Sequence, residues 1–181
     1  GHPLQGVIVP REPASLAAMV PLQVYNSLQT AAEREQLQRF THVIIGGGAI
    51  DAQLERQLSS FPNAIWSSYG MTETLSHVAL RRVSGPSASL WYRPLPGVSV
   101  SLDDDDCLVI DAPAVHDGLL HTHDIATLRE DGCFRILGRR DNVICSGGVK
   151  LQAEAIEQRL QSWLDAPFAI TKRADEKFGE V

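Results

Sequence analysis

A short run that stops on three glycines, His42-Val43-Ile44-Ile45-Gly46-Gly47-Gly48, constrains the fold of this chain more than any other segment. An apolar run of that length, closed by turn residues, reads as a buried strand entering a loop. Residues 51–59 follow with Leu54 and Leu58 at the i, i+4 spacing of a helix face, and Asp51 stands where a helix N-cap belongs. Ala64-Ile65-Trp66-Ser67 is then the next strand. Two successive strand–loop–helix units predict an α/β fold, with parallel strands and ligands at the strands' C-terminal ends. Upstream, residues 14–29 read as a helix with a break or kink at Pro21, and residues 31–40 as a second helix.

After Gly85 the texture changes. Short strands are expected at 98–102, 108–111, 119–128 and 134–138, separated by Pro, Gly and Asp turns, which predicts a small antiparallel β-barrel or sheet. A last helix at 153–164 places Ile156, Leu160, Trp163 and Leu164 on one stripe, and 168–171 reads as one more strand. The expected organisation is therefore an α/β part at 1–84, an antiparallel β part at 85–140 and a third part at 141–181.

Composition removes several function classes. Sixteen basic against twenty-two acidic residues give a net charge of −6 with no basic cluster, so the electrostatic footprint of a nucleic-acid binder is missing. No apolar run approaches the roughly 20 residues that span a bilayer. Three widely spaced cysteines, Cys107, Cys133 and Cys145, match no zinc template and point to reduced thiols and a cytoplasmic setting. A dinucleotide fingerprint would put a glycine at position 51, where the chain has Asp51, whose carboxylate would repel a pyrophosphate. The Asp103-Asp104-Asp105-Asp106 run lacks the alternation and distal Glu of a calcium loop and reads as a solvated hairpin turn. His121 and His123 share one face of a strand and read as half-buried strand residues, not as metal ligands.

Ser68-Tyr69-Gly70-Met71-Thr72-Glu73-Thr74, directly after the Ala64 strand, places a hydroxyl beside a carboxylate on a glycine-containing turn. Thr72 can donate to a phosphoryl oxygen, and Glu73 is a hard oxygen ligand for Mg²⁺. Gly70 permits a close backbone approach, and Tyr69 offers a flat face to an adenine. A strand exit with a capping Thr is the plainer alternative for this segment taken alone. Downstream stands Gly138-Arg139-Arg140-Asp141-Asn142-Val143-Ile144-Cys145-Ser146-Gly147-Gly148-Val149-Lys150, followed by Glu154-Ala155-Ile156-Glu157.

The pair of motifs resembles the acyl-adenylate-forming superfamily, with its YGxTE element and later GRxDxxIxxxGxK element. Gly46-Gly47-Gly48-Ala49 is similar to that family's GGAP-like loop, and His121-Thr122-His123-Asp124 stands where a T-G-D element is usual, with His123 replacing the glycine. Within the superfamily, Thr72 to His77, Ser146 to Leu151 and Met19 to Val24 look most similar to o-succinylbenzoate–CoA ligases of menaquinone biosynthesis. A fatty- or aryl-acid CoA synthetase is the alternative.

The resemblance implies a set of roles. Thr72 and Glu73 would be catalytic, with Glu73 holding Mg²⁺. Gly46, Gly47, Gly48, Tyr69, Gly70, Thr72, Asp124 and Arg139 would bind ATP or AMP, Asp124 taking the ribose hydroxyls. Asp141 would be the hinge of a mobile α+β domain that begins here. Ser76, His77, Gly147, Gly148 and Lys150 would face the acyl group and CoA. The partners implied are a small carboxylic acid, ATP and CoA, with self-association as a homo-oligomer a further expectation. Neither the family's phosphate loop ending in Pro-Lys nor its C-terminal lysine is found, so the chain reads as a fragment of a longer enzyme. It is expected to be inactive alone, either as a remnant of the ligase or as a nucleotide-binding module.

Overall fold

The structure, a computed structural model, describes residues 15–161, 163–164 and 168–180. The expected helix start at Ala14, the helix position Ser162 and the terminal Val181 lie outside these residues. The chain divides into two units, residues 1–96 and 97–181.

In the first unit, five strands lie in the order of the chain: β1 (Leu16–Met19), β2 (His42–Ile45), β3 (Ala64–Gly70), β4 (His77–Arg82) and β5 (Arg93–Pro94). β2 and β3 are parallel, as the strand–loop–helix pattern predicts; β1 adds parallel to β2, whereas β4 and β5 add antiparallel. Three helices supply the connections: α1 (Pro21–Ser27), α2 (Ala31–Arg39) and α3 (Ala52–Ser59). Val24 of α1 with Leu28 just after it, Leu37 of α2 with Phe40 just after it, and Leu54 and Leu58 of α3 pack with Val43, Ile45 and Ile65 in one core. Each such side chain contributes roughly 1.5–3 kcal/mol on full burial. Asp51 caps α3 as expected, its Oδ1 accepting from the backbone N–H of Gln53 at 2.8 Å and Leu54 at 2.9 Å.

The single helix expected over residues 14–29 is instead a strand followed by a helix. Leu16–Met19 pairs in parallel with β2, turning Ala17 and Met19 toward the core, and Pro21 opens α1 instead of kinking a longer helix. A proline at the first helical position loses nothing, because that N–H has no intrahelical acceptor.

The second unit opens with an antiparallel meander, β6 (Ser99–Leu102), β7 (Cys107–Asp111), β8 (Leu119–Leu128) and β9 (Phe134–Arg139). All four strands were expected here. Cys107 to Ile110 of β7 are buried at every position, so this strand is covered on both faces. Asp103 Oδ1 accepts from the N–H groups of Asp105 and Cys107, closing the acidic β6–β7 turn. Four shorter strands form a further sheet in the order β11 (Val149–Gln152), β10 (Val143–Ser146), β13 (Gly179–Glu180), β12 (Ala174–Asp175), beside α4 (Ala153–Leu160).

Three other expectations are corrected. α4 ends at Leu160, so Trp163 lies beyond it and is exposed. Residues 168–171 form no strand, and the N–H of Ile170 is taken by the Glu157 carboxylate at 2.7 Å. His121 and His123 are exposed, not half-buried, because they alternate with the inward Thr122 along β8.

Candidate functional site

The first unit gathers its candidate residues on the loops after β2 and β3. Gly46, Gly47 and Gly48 leave β2, and a side chain at Gly46 would strike Ser68 Oγ, which donates to the carbonyl of Ile45 at 3.2 Å. Gly47 has φ +75°, a left-handed conformation that favours glycine. β3 runs three residues past Ser67, carrying Tyr69 to its end. Gly70 is required by space: a Cβ there would overlap the carbonyl of Ser76 and lie 2.6 Å from His77 Cα.

The turn that follows is a short 3₁₀ helix, Thr72–Thr74. Thr74 is buried and ties it together, its hydroxyl accepting from Met71 N–H at 3.0 Å and donating to the Ser76 carbonyl at 2.7 Å. Leu75, with φ +59° and 78% of its surface exposed, completes the reversal into β4. The result leaves Thr72 and Glu73 exposed on a turn whose neighbours are pinned. Ser76 and His77 share a hydrogen bond between Oγ and Nδ1 of 3.1 Å.

In the second unit the pairing of β8 with β9 sets Asp124 directly opposite Arg139. Arg139 Nη1 donates to Asp124 Oδ1 and Nη2 to Asp141 Oδ2, both at 3.1 Å. Asp124 is held among its neighbours, its side chain 13% exposed, while Arg139 and Asp141 are more than half exposed. His123 Nδ1 lies 3.1 Å from both Asp141 oxygens. That imidazole first, and the Arg139 guanidinium second, hold the Asp141 carboxyl below the usual carboxylate range.

Under this cluster Gly138 leaves room for Gln152 and Glu154, which a side chain at position 138 would displace. Partial burial pushes the Glu154 carboxyl up. Hydrogen bonds from Asn142 at 2.6 Å, from Gln152 and from the backbone N–H of Arg139 at 3.3 Å outweigh it and hold the group low. Gly147 and Gly148, at φ +56° and +85°, form the two-residue turn between β10 and β11, where both positions need positive φ. Lys150 is exposed on β11.

Of the residues singled out in the sequence, Asp124, Arg139 and Asp141 are brought together by the β8–β9 register. Sequence reasoning missed Thr74, the Gln152–Glu154 support and a group of four in the first unit, Glu55, Ser67, Arg81 and Tyr92. For Thr74 the signal was present, as a threonine two residues beyond another threonine on a tight turn. The Arg81–Glu55 pair spans 26 residues and carries no local signal.

Several known proteins resemble this chain in sequence and fold. A family model described as AMP-binding enzyme matches residues 7–128. The 2-succinylbenzoate–CoA ligase of Salmonella typhimurium is 30% identical over 156 residues, a match that covers 78% of this chain and 33% of that protein. Among solved structures, the acyl-CoA synthetase (AMP-forming)/AMP-acid ligase II-like protein of Dyadobacter fermentans is 34% identical with a TM-score of 0.68, over 94% of this chain and 50% of that one. The o-succinylbenzoate CoA synthetase (MenE) of Bacillus subtilis, solved with the acyl-adenylate intermediate OSB-AMP, shares the fold at 20% identity and a TM-score of 0.74, over 96% of this chain and 41% of that one. The chain thus spans between a third and two-fifths of the length of the first curated relatives it matches. With two thirds of its residues under the family model and the loops after β2 and β3 built as described, the chain belongs to the AMP-binding enzyme family.

Proposed function

We propose that this chain is the nucleotide- and acyl-handling part of an AMP-forming acid–CoA ligase whose acid is o-succinylbenzoate, as in menaquinone biosynthesis. The observation that carries the reading is the exposed Thr72–Glu73 pair, held on the pinned turn after β3 in a chain of this family. The name of the Salmonella relative supports the choice of acid. A fatty or aryl acid is the second reading, since several relatives of this fold differ in name.

The chemistry follows from the leaving group. A free carboxylate cannot lose oxide, so its oxygen attacks the α-phosphorus of ATP and expels pyrophosphate, leaving a mixed anhydride with AMP. The CoA thiolate then forms the thioester bond and AMP departs. Thr72 donates a hydrogen bond to an α-phosphoryl oxygen as charge builds there. Glu73 is the donor type that Mg²⁺ accepts, since that ion takes one or two carboxylates and completes its shell with waters and substrate phosphates. Bound there, Mg²⁺ supplies Lewis-acid stabilisation of phosphoryl charge.

Asp124 is assigned the ribose hydroxyls, both of which one carboxylate can accept. Arg139 is assigned to ribose or phosphate, Asp141 to the hinge, and Gly46, Gly47 and Gly48 to the wall beside the adenine. Ser76 and His77 with the Met19–Val24 segment are assigned to the acid, and the Gly147-Gly148 turn with Lys150 to CoA. Self-association and a cytoplasmic setting belong to the same reading. Among the described residues no helix is long and apolar enough to cross a membrane.

Calorimetric titration with AMP and with a non-hydrolysable o-succinylbenzoyl-adenylate analogue tests this reading. Binding of the analogue, lost in Asp124→Ala, is the expected result. Binding of AMP with no gain from the o-succinylbenzoyl group favours a different acid, and binding of neither overturns the assignment.

A further inference from the structure

Four residues that the reaction above does not use, Glu55, Ser67, Arg81 and Tyr92, form a chain of contacts that ends on Tyr69. Tyr92 stands in the loop between β4 and β5, and its ring meets that of Tyr69 with centroids 5.9 Å apart and planes tilted by 57°. Its hydroxyl shares a 2.8 Å hydrogen bond with Ser67 Oγ, which is 1% exposed on β3 two residues before Tyr69. The Arg81 guanidinium carbon also lies over the Tyr92 ring, 5.4 Å from its centroid. Arg81 is buried and doubly bonded to Glu55 of α3, at 2.6 and 3.0 Å, and its Nη1 also donates to the Ser89 carbonyl of the same loop at 3.1 Å.

Each contact has a separate effect. The ion pair fixes the guanidinium, because breaking a buried pair strands a charge. The guanidinium then presses on the Tyr92 face as a cation over a ring. The Ser67 bond sets the rotation of Tyr92 about its long axis, since a phenol has one polar end to satisfy. An edge-tilted ring pair at this distance leaves Tyr69 a restricted set of ring planes. Ser67 and Arg81 are directly opposite across β3 and β4, so the two side chains that hold Tyr92 share one rung of the sheet.

We propose that Tyr92 is a positioning residue for the nucleotide base: it orients the Tyr69 ring, and is itself held by Ser67 and the Glu55–Arg81 pair. The proposal rests on the reading of Tyr69 as the face on which adenine stacks. It explains why a charged pair is buried beside a loop that otherwise only joins two strands. Without Tyr92 the Tyr69 ring samples more planes, and a base must select one of them on binding, which weakens affinity without removing a direct contact.

The chain has three tyrosines, Tyr25, Tyr69 and Tyr92, so ring-labelled tyrosine gives a spectrum simple enough to follow each ring. The measurements are the Tyr69 ring shifts without ligand and the affinity for AMP, on the chain and on Tyr92→Leu, Tyr92→Phe, Tyr69→Leu and the Tyr69→Leu/Tyr92→Leu pair. Tyr92→Leu is expected to move the Tyr69 signals and weaken AMP binding about three- to tenfold. Tyr92→Phe, which keeps the ring and loses only the Ser67 bond, recovers most of that loss. In the Tyr69→Leu background, Tyr92→Leu has no further effect, a result that a general loss of stability would not give.

Unchanged AMP affinity in Tyr92→Leu, or losses that simply add, overturns the proposal. If Tyr92→Leu does not fold, Ser67→Ala takes its place: a smaller shift of the Tyr69 signals is expected, and no shift overturns the proposal. AMP affinity that ignores Tyr69→Leu overturns instead the stacking role of Tyr69, a different failure, which the ring shifts distinguish because they need no ligand.

Discussion

At Asp141 one carboxylate answers to two donors, the imidazole of His123 and the guanidinium of Arg139. Its folded pKa lies below the unfolded value of about 3.9. The stabilisation it contributes is therefore complete above that pH and is lost as pH falls through the folded value. Carbon NMR of the Asp141 carboxyl should give a midpoint below that of an ordinary aspartate. His123→Ala should raise it, since the imidazole is the larger cause, and a midpoint indifferent to His123 would contradict the pairing. The acid and the arginine were legible from the sequence because their motif keeps them in one segment. The histidine's part in the cluster was not, because it comes from the other strand of the pair, 18 residues away, and only the β8–β9 register brings it close. Tyr92 and Arg81 were hidden for the same reason: their partners lie on other elements, and neither residue type is unusual where it stands.

Elements defined by their own capping chemistry were read well, and elements defined by their neighbours were not. α3 shows the first case. Its cap, its two buried leucines and its length all lie within one segment, so local rules suffice. Asp51→Ala should cost about 1 kcal/mol by leaving two helix N–H groups without an acceptor. The denaturation midpoint should fall at constant slope, and Asp51→Asn, which can still accept, should recover most of the loss. Equal losses for both replacements would show that charge, not capping, is what Asp51 supplies. β1 shows the second case. Leu-Ala-Ala-Met is a sequence that favours helix, and only pairing with β2 makes it a strand, a tertiary preference that outweighs the local one. The stretch at 168–171 errs in the opposite direction. Its apolar residues suit a strand, but a carboxylate from α4 takes the Ile170 N–H that a strand partner would need.

On the scale of the whole chain, the change from a parallel to an antiparallel texture was visible because the turn residues change with it; the structure has a mixed sheet in the first unit, already antiparallel at β4, and an antiparallel meander in the second. Surface balance is also a property of the whole sequence, and it leads to a test. The net charge of −6 at pH 7 excludes the histidines, of which there are six. Protonating all of them cancels that charge, in keeping with an isoelectric pH of about 5.5. Along β1 and α1, meanwhile, Leu16, Val20, Leu22 and Tyr25 are exposed, with Leu22 at 67%. Apolar surface of this kind holds copies together once mutual repulsion is gone. Light scattering should therefore report a larger mean mass as pH falls from neutral toward 5.5, and Leu22→Glu should suppress the rise by removing apolar area and adding charge. A rise that Leu22→Glu leaves intact would place the adhesive surface elsewhere. No rise at all would remove the exposed side chains of β1 and α1 as a site of self-association.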